Sequence, residues 1–174
     1  MREEMSWVEQ IKEGLPEYAK DTKLNLDSVI NRSTLDITEA NCVALAAAMA
    51  TGNGKLVAFI QANIADATER DAALTASSLM GMNNVWYPYV EMADDANLKG
   101  LPAQLRMNAI STHGSTTKER FEAYSLAASI VGKCHFCVKS HYDNLKKMGY
   151  TVEQLRDIGR IAAVITSVAK VLNS

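Results

Sequence analysis

Apolar residues recur at helical spacing along almost the whole chain, and no alternating apolar–polar run is long enough to make a useful strand. That pattern predicts an all-α fold. Trp7, Val8 and Ile11 mark a short amphipathic turn ending at Gly14, and Pro16 opens a second one through Tyr18. Leu24, Leu26, Val29 and Ile30 mark a third helix. Thr38 precedes a strong helix from about Glu39 to Met49, stopped by Gly52-Asn53-Gly54. Helices are then expected over Lys55 to Asn63 and Glu69 to Leu79. A break is expected at Met80-Gly81-Met82-Asn83-Asn84, with a further helix over Val85 to Ala93. Pro102 stands where a helix over Leu105 to Ile110 would begin. The loop from His113 to Thr117 leads, through a capping threonine (Thr116 or Thr117), into a helix over Lys118 to Val131, which Gly132 ends. The next helix starts near Cys134 and stops at Met148-Gly149. Thr151 and Gln154 have the spacing of a capping box for a last helix reaching Leu172. Only 6% of residues are aromatic, and alanine is abundant, which favours closely packed helices over a sandwich or barrel.

The rest of the composition excludes several classes. A formal net charge of −2 supplies no basic surface for nucleic acid. Three cysteines are too few for a secreted disulfide framework. The longest apolar run, Cys42 to Ala50, is too short to cross a bilayer and reads as a buried helix. Met1 to Trp7 carries charges and no apolar core of a secretory signal. The expectation is a reducing, cytoplasmic setting without membrane attachment, in which a close thiol pair is redox-active or metal-binding.

A weak internal repeat is present. Shifted by 51 residues, Ala73 to Gly81 lies over Tyr124 to Gly132, both with small residues, then two large apolar ones, then glycine. In that register Asp71 falls on Glu122, Asn83 on Cys134, Trp86 on Cys137 and Val90 on His141. The expectation is one domain of two related helical halves, a degenerate one over about 15–98 and an active one over about 99–174.

The chemistry is concentrated in Gly132-Lys133-Cys134-His135-Phe136-Cys137-Val138-Lys139-Ser140-His141. On a helix starting at Cys134, Cys134, Cys137 and His141 occupy positions i, i+3 and i+7 and share a face. The first turn of a helix favours a thiolate through its free N–H groups and macrodipole. His141 stands where it can act as base toward Cys137. Three chemistries fit two thiols and a histidine to different degrees. Thiol redox needs nothing more. Structural zinc needs a fourth ligand, from Cys42, His113, His135 or a carboxylate. Haem attachment needs a histidine at position 138, which is Val138. Two buried, inert cysteines remain the plain structural alternative. Glu122, twelve residues before Cys134, could return toward His141 if the two helices pack antiparallel. It would then orient the imidazole and fix its tautomer, although a glutamate at a helix start is commonly just solvated.

At these residues the sequence resembles the alkyl hydroperoxide reductase D (AhpD) family. The order Glu122…Cys134-x-x-Cys137-x-x-x-His141, followed by Gly149, matches the family's active-site signature. Leu15 to Asp21, Lys23 to Leu26, Met80 to Val85 and Leu105 to Asn108 resemble further segments, so the likeness covers nearly the whole chain. The C-terminal motif is shared with the wider carboxymuconolactone decarboxylase-like superfamily. The resemblance implies a thiol peroxidase acting on alkyl hydroperoxides and a reductant of the peroxiredoxin AhpC. Electrons would come from dihydrolipoamide on a lipoylated dihydrolipoamide acyltransferase and its dehydrogenase, with no bound cofactor or metal. It implies that Cys137 attacks peroxide, passes through sulfenic acid and forms the disulfide with the partner. Cys134 would be the more exposed thiol, serving as proton donor and closing the redox disulfide with Cys137. His141 and Glu122 would relay the proton, through water. A homo-oligomer, commonly a trimer, is also implied. A metal-binding or decarboxylase-like module on the same fold, or an electron adaptor without peroxide turnover, are the competing functions.

One position departs from the family. Some members carry histidine immediately before the second cysteine, where this chain has Phe136. His135 lies one place earlier, expected on a different side of the helix and solvated. Cys42 reads as a small buried hydrophobe, His113 as a loop residue, and Trp86, Tyr87 and Tyr89 as packing or a subunit contact.

Overall fold

In a computed structural model, residues 5–109 and 116–173 are described. Their regular structure is helical: α1 (Trp7–Gly14), a 3-10 turn (Glu17–Ala19), α2 (Lys20–Asn31), α3 (Ile37–Thr51), α4 (Gly54–Ala62), α5 (Ala67–Ala93), α6 (Ala96–Lys99), α7 (Lys118–Gly132), α8 (His135–Lys147) and α9 (Val152–Leu172). No strand occurs among these residues, as the periodicity predicts.

Local chemistry sets most helix starts. Ser6 with Glu9 and Thr151 with Gln154 form capping boxes. Asp36, Asn53, Asp66 and Thr117 cap α3, α4, α5 and α7 through side-chain oxygens. The α3 cap is therefore Asp36 and not Thr38, and the helix begins two residues earlier than expected. Asn53 also ties the N-terminus of α4 to the end of α9, donating to the Ala169 carbonyl at 3.1 Å.

α3 is the central rod. Ala40 and every residue from Cys42 to Ala48 are fully buried, and the helix packs against α4, α5, α7 and α9. Alanines let the axes approach closely, so small side chains serve the packing of several helices at once. Tyr124, Phe121, Leu45, Ile161 and Ile165 fill the space between them. Three buried polar groups are paired across these contacts. Ser77 Oγ donates to the Ala46 carbonyl at 2.9 Å, Tyr124 donates to Glu69, and Tyr150 donates to Glu39.

Two expectations fail. The predicted break at Met80 to Asn84 is absent: α5 runs on through Gly81 and Pro88 as one helix of 27 residues. A single glycine costs a helix only about 1 kcal/mol, and this turn is held against α7 by Asn84, whose Nδ2 donates to the Ala128 carbonyl at 3.1 Å. The helix expected over Leu105 to Ile110 does not form over residues 105–108. Residues 101–108 are not helical, and Gln104 takes a positive φ of 54°. Ile110 and His113 lie outside the described residues.

Candidate active site

α7 ends with Lys133 in the left-handed conformation (φ 56°), and the chain turns directly into α8. Cys134 is the N-cap of α8. Its Sγ accepts the Cys137 N–H at 3.2 Å, the place usually held by a serine or aspartate oxygen. Cys134 and Cys137 are joined by a disulfide, with Cα atoms 5.3 Å apart. The i, i+3 spacing at a helix start thus closes the bond without distorting the helix. Both sulfurs sit under α5, 3.9 Å and 3.6 Å from the Asn83 carbonyl oxygen. Once reduced, either thiol can donate its S–H there.

Behind the pair, α7 and α8 bring Glu122 and His141 together. Glu122 is 4% exposed, and its Oε2 lies 2.6 Å from His141 Nδ1. Asn144 Nδ2 approaches Oε1 at 3.5 Å. A carboxylate on Nδ1 places the proton there and leaves Nε2 as the acceptor. Nε2 in turn lies 3.2 Å from the Met80 thioether. Glu122 is therefore no solvated helix-start residue. The helix packing supplies a base, its orienting carboxylate and two thiols at a helix N-terminus, an arrangement suited to proton removal from a thiol followed by nucleophilic attack.

Beside Cys134 a shallow cavity of about 290 Å³ is lined by Lys133, His135, Val138, Lys139 and Tyr142. Lys139 pairs with Asp143 at 2.6 Å. Among the described residues, no three His, Cys, Asp or Glu side chains converge as a metal site would require. No described helix is long and apolar enough to cross a membrane.

Residues 97–174 match the model of the carboxymuconolactone decarboxylase family. Over nearly its full length the chain is similar to proteins described as alkyl hydroperoxide reductase AhpD. The one from Rhodospirillum centenum is 42% identical over 96% of this chain and 91% of its own. That from Maricaulis maris is 41% identical over 95% and 96%, and that from Coxiella burnetii 39% over 94% and 96%. The chain belongs to the AhpD family.

Against the family pattern two positions stand out. Phe136, where some AhpD proteins have histidine, stacks on Tyr87 of α5 with ring centroids 4.4 Å apart. His135 points outward, its side chain 83% exposed and 3.5 Å from Glu91. The aromatic pair thus replaces any imidazole at that place. The greater exposure expected of Cys134 is also not found: Cys134 is 0% and Cys137 3% exposed. Capping α8 turns the Cys134 sulfur back over the helix start and against Asn83. Cys42 is a buried free thiol on α3, pushed up to about 12 by burial, so it stays neutral and inert. Sequence reasoning missed Met80, Asn83 and Asn84 as site residues. The signal was the register that lays Asn83 over Cys134.

Proposed function

We propose that the protein is a thiol peroxidase and disulfide reductase acting on alkyl hydroperoxides. The observation that carries this reading is the Cys134–Cys137 disulfide at the start of α8 with the buried Glu122–His141 pair behind it. In the reduced enzyme His141 takes the Cys137 proton, through water. The thiolate attacks the terminal peroxide oxygen: an S–O bond forms, the O–O bond breaks, and the alkoxide leaves as alcohol after protonation by Cys134. Cys137 is now a sulfenic acid. The Cys134 thiolate attacks its sulfur, water leaves, and the disulfide forms. A dithiol reverses this through a mixed disulfide at Cys137, ending as its own cyclic disulfide.

Dihydrolipoamide on a lipoylated acyltransferase is the proposed dithiol, and oxidised AhpC the proposed protein substrate, with Cys137 forming the disulfide between the partners. The reducing cytoplasm is the proposed compartment. We also propose self-association, with a trimer as the expected form. Met82, Val85, Tyr89 and Met92 support it: they are exposed at i, i+3, i+7 and i+10 on α5. Division into halves over about 15–98 and 99–174 is proposed on the repeat.

The test is peroxide consumption with dihydrolipoamide for wild type, Cys137→Ser, Cys134→Ser and His141→Phe, with and without AhpC. Loss of turnover in Cys137→Ser is expected. Full turnover in that variant overturns the assignment, and turnover only with AhpC present identifies an electron adaptor.

A further inference from the structure

Ser125 and Ser129 follow Glu122 on α7 by three and seven residues, so the three share one face of the helix. Their neighbours define where that face looks. Glu122 meets His141 of α8. The Ser129 carbonyl accepts the Cys134 N–H at 3.3 Å. On the α5 side, Asn84 reaches the Ala128 carbonyl. The two serine hydroxyls therefore project into the wedge between α5 and α8, where the cysteine pair, Met80 and His141 meet. Both serines are 0% exposed.

Neither hydroxyl has a hydrogen-bond partner among the described residues, and the same holds for Oδ1 of Asn83 and of Asn84 on the facing turn of α5. These four are the buried side-chain polar atoms left unpartnered among the described residues, and all flank this one wedge. Buried polar atoms in proteins are nearly always satisfied, by ordered water where protein groups do not reach. The site also needs a carrier. His141 Nε2 faces the Met80 thioether, a weak acceptor that cannot take a thiol proton.

We infer that Ser125 and Ser129 are positioning residues that anchor, in this wedge, the water through which the proposed relay passes the Cys137 proton to His141. The idea rests on the proposed peroxidase for its purpose, not for its geometry. The Cys137 S–H gives its proton to the water, and a water proton passes to Nε2. Nδ1–H stays on Glu122. A neutral thiol and imidazole become a thiolate and an imidazolium facing a carboxylate, with no net charge created. The two serines touch the water and not the peroxide.

The test uses reduced protein and needs no peroxide, lipoyl donor or AhpC, so failure of the peroxidase reading leaves it interpretable. Iodoacetamide labelling of Cys137 is followed by site-resolved mass spectrometry across a pH series. Ser125→Ala, Ser129→Ala and the double variant are expected to slow labelling near neutrality by roughly tenfold or more and to move the profile to higher pH, toward that of His141→Phe. Ser125→Thr, which keeps a hydroxyl, is expected to lie nearer wild type than Ser125→Ala. A crystal structure of the reduced protein with water on either Oγ supports the inference. An unchanged profile together with a raised Tm in the alanine variants overturns it, because a dry, unpaired hydroxyl costs stability and its removal would restore it.

Discussion

The Glu122 carboxylate lies 2.6 Å from His141 Nδ1 across 19 residues of chain, because α7 and α8 fold back on each other at Lys133. In the proposed mechanism this buried contact is what makes His141 a base. Glu122→Gln keeps a carbonyl oxygen for Nδ1–H but removes the charge that stabilises the imidazolium. Dithiol-dependent peroxide turnover is expected to fall about 10- to 100-fold with helicity unchanged by circular dichroism. Glu122→Ala, which leaves the buried Nδ1–H without an acceptor, is expected to fall further. Equal activity in Glu122→Gln and wild type would remove Glu122 from the relay.

Cys134 does two things, since its sulfur both caps α8 and closes the disulfide. The two roles separate in reductant. Cys134→Ser retains a capping atom, and Cys134→Ala does not. Thermal unfolding of the reduced variants is expected to put the alanine variant about 1 kcal/mol below the serine variant. If the two coincide, the sulfur cap contributes nothing to the reduced helix.

Much of this arrangement was legible in the sequence. The helical periods show the fold class, the capping-box spacing of Thr151 and Gln154 marks the start of α9, and of the two threonines open for α7 it is Thr117 that caps. The face shared by Cys134, Cys137 and His141 follows from 3.6 residues per turn. His135 lies in solvent, as its place on the helix predicts, whereas the stacking of Phe136 on Tyr87 is a tertiary contact that the helix position alone does not give. What was not legible depends on tertiary contact. Gly81 reads as a helix stop, yet α5 continues because Asn84 is held on α7. In the 51-residue register, the later segment breaks at Lys133 and Cys134 where the earlier one runs on through Met82 and Asn83. Local propensity does not tell these apart. Asn83 and Cys134, matched in that register, touch in space. No local pattern foretells that a carbonyl of the first segment will face the sulfurs of the second.

Cys42 provides a control thiol. Burial raises it from an ordinary 9.0 to about 12, so the fold holds its neutral form. Its contribution to stability is complete below pH 9 and declines as pH rises toward 12. In reduced native protein, iodoacetamide is expected to label Cys134 and Cys137 and to reach Cys42 only after denaturant is added. Rapid native labelling of Cys42 near neutrality would contradict its burial.

Asp157 carries the opposite sign. Burial opposes its ionisation, but the Thr34 N–H and hydroxyl at 2.8 and 2.7 Å, with Arg156 and Arg160, hold it below the usual carboxylate range. A depressed value adds stability that is present above the unfolded value of about 3.9 and is lost as pH falls through the folded one. The arginines are half exposed and add little, so the Thr34 bonds dominate. Asp157→Asn is expected to lose about 1–3 kcal/mol at neutral pH and to show a weaker decline in Tm on acidification. An unaltered acid limb would assign that decline to other groups.

Gly132 tests the helix crossing that carries Asn84 onto α7. A Cβ at this position would overlap the Asn84 amide and lie 2.9 Å from its Cβ. The amide cannot swing away without giving up its bond to the Ala128 carbonyl. Gly132→Ala is therefore expected to destabilise by about 1–3 kcal/mol, the usual range for overpacking. It should also slow peroxide turnover, because α5 carries the Asn83 carbonyl over the sulfurs. Adding Asn84→Ala opens the space and is expected to recover part of the lost Tm. A double-variant loss equal to the sum of the single losses would show that the two residues do not share this contact.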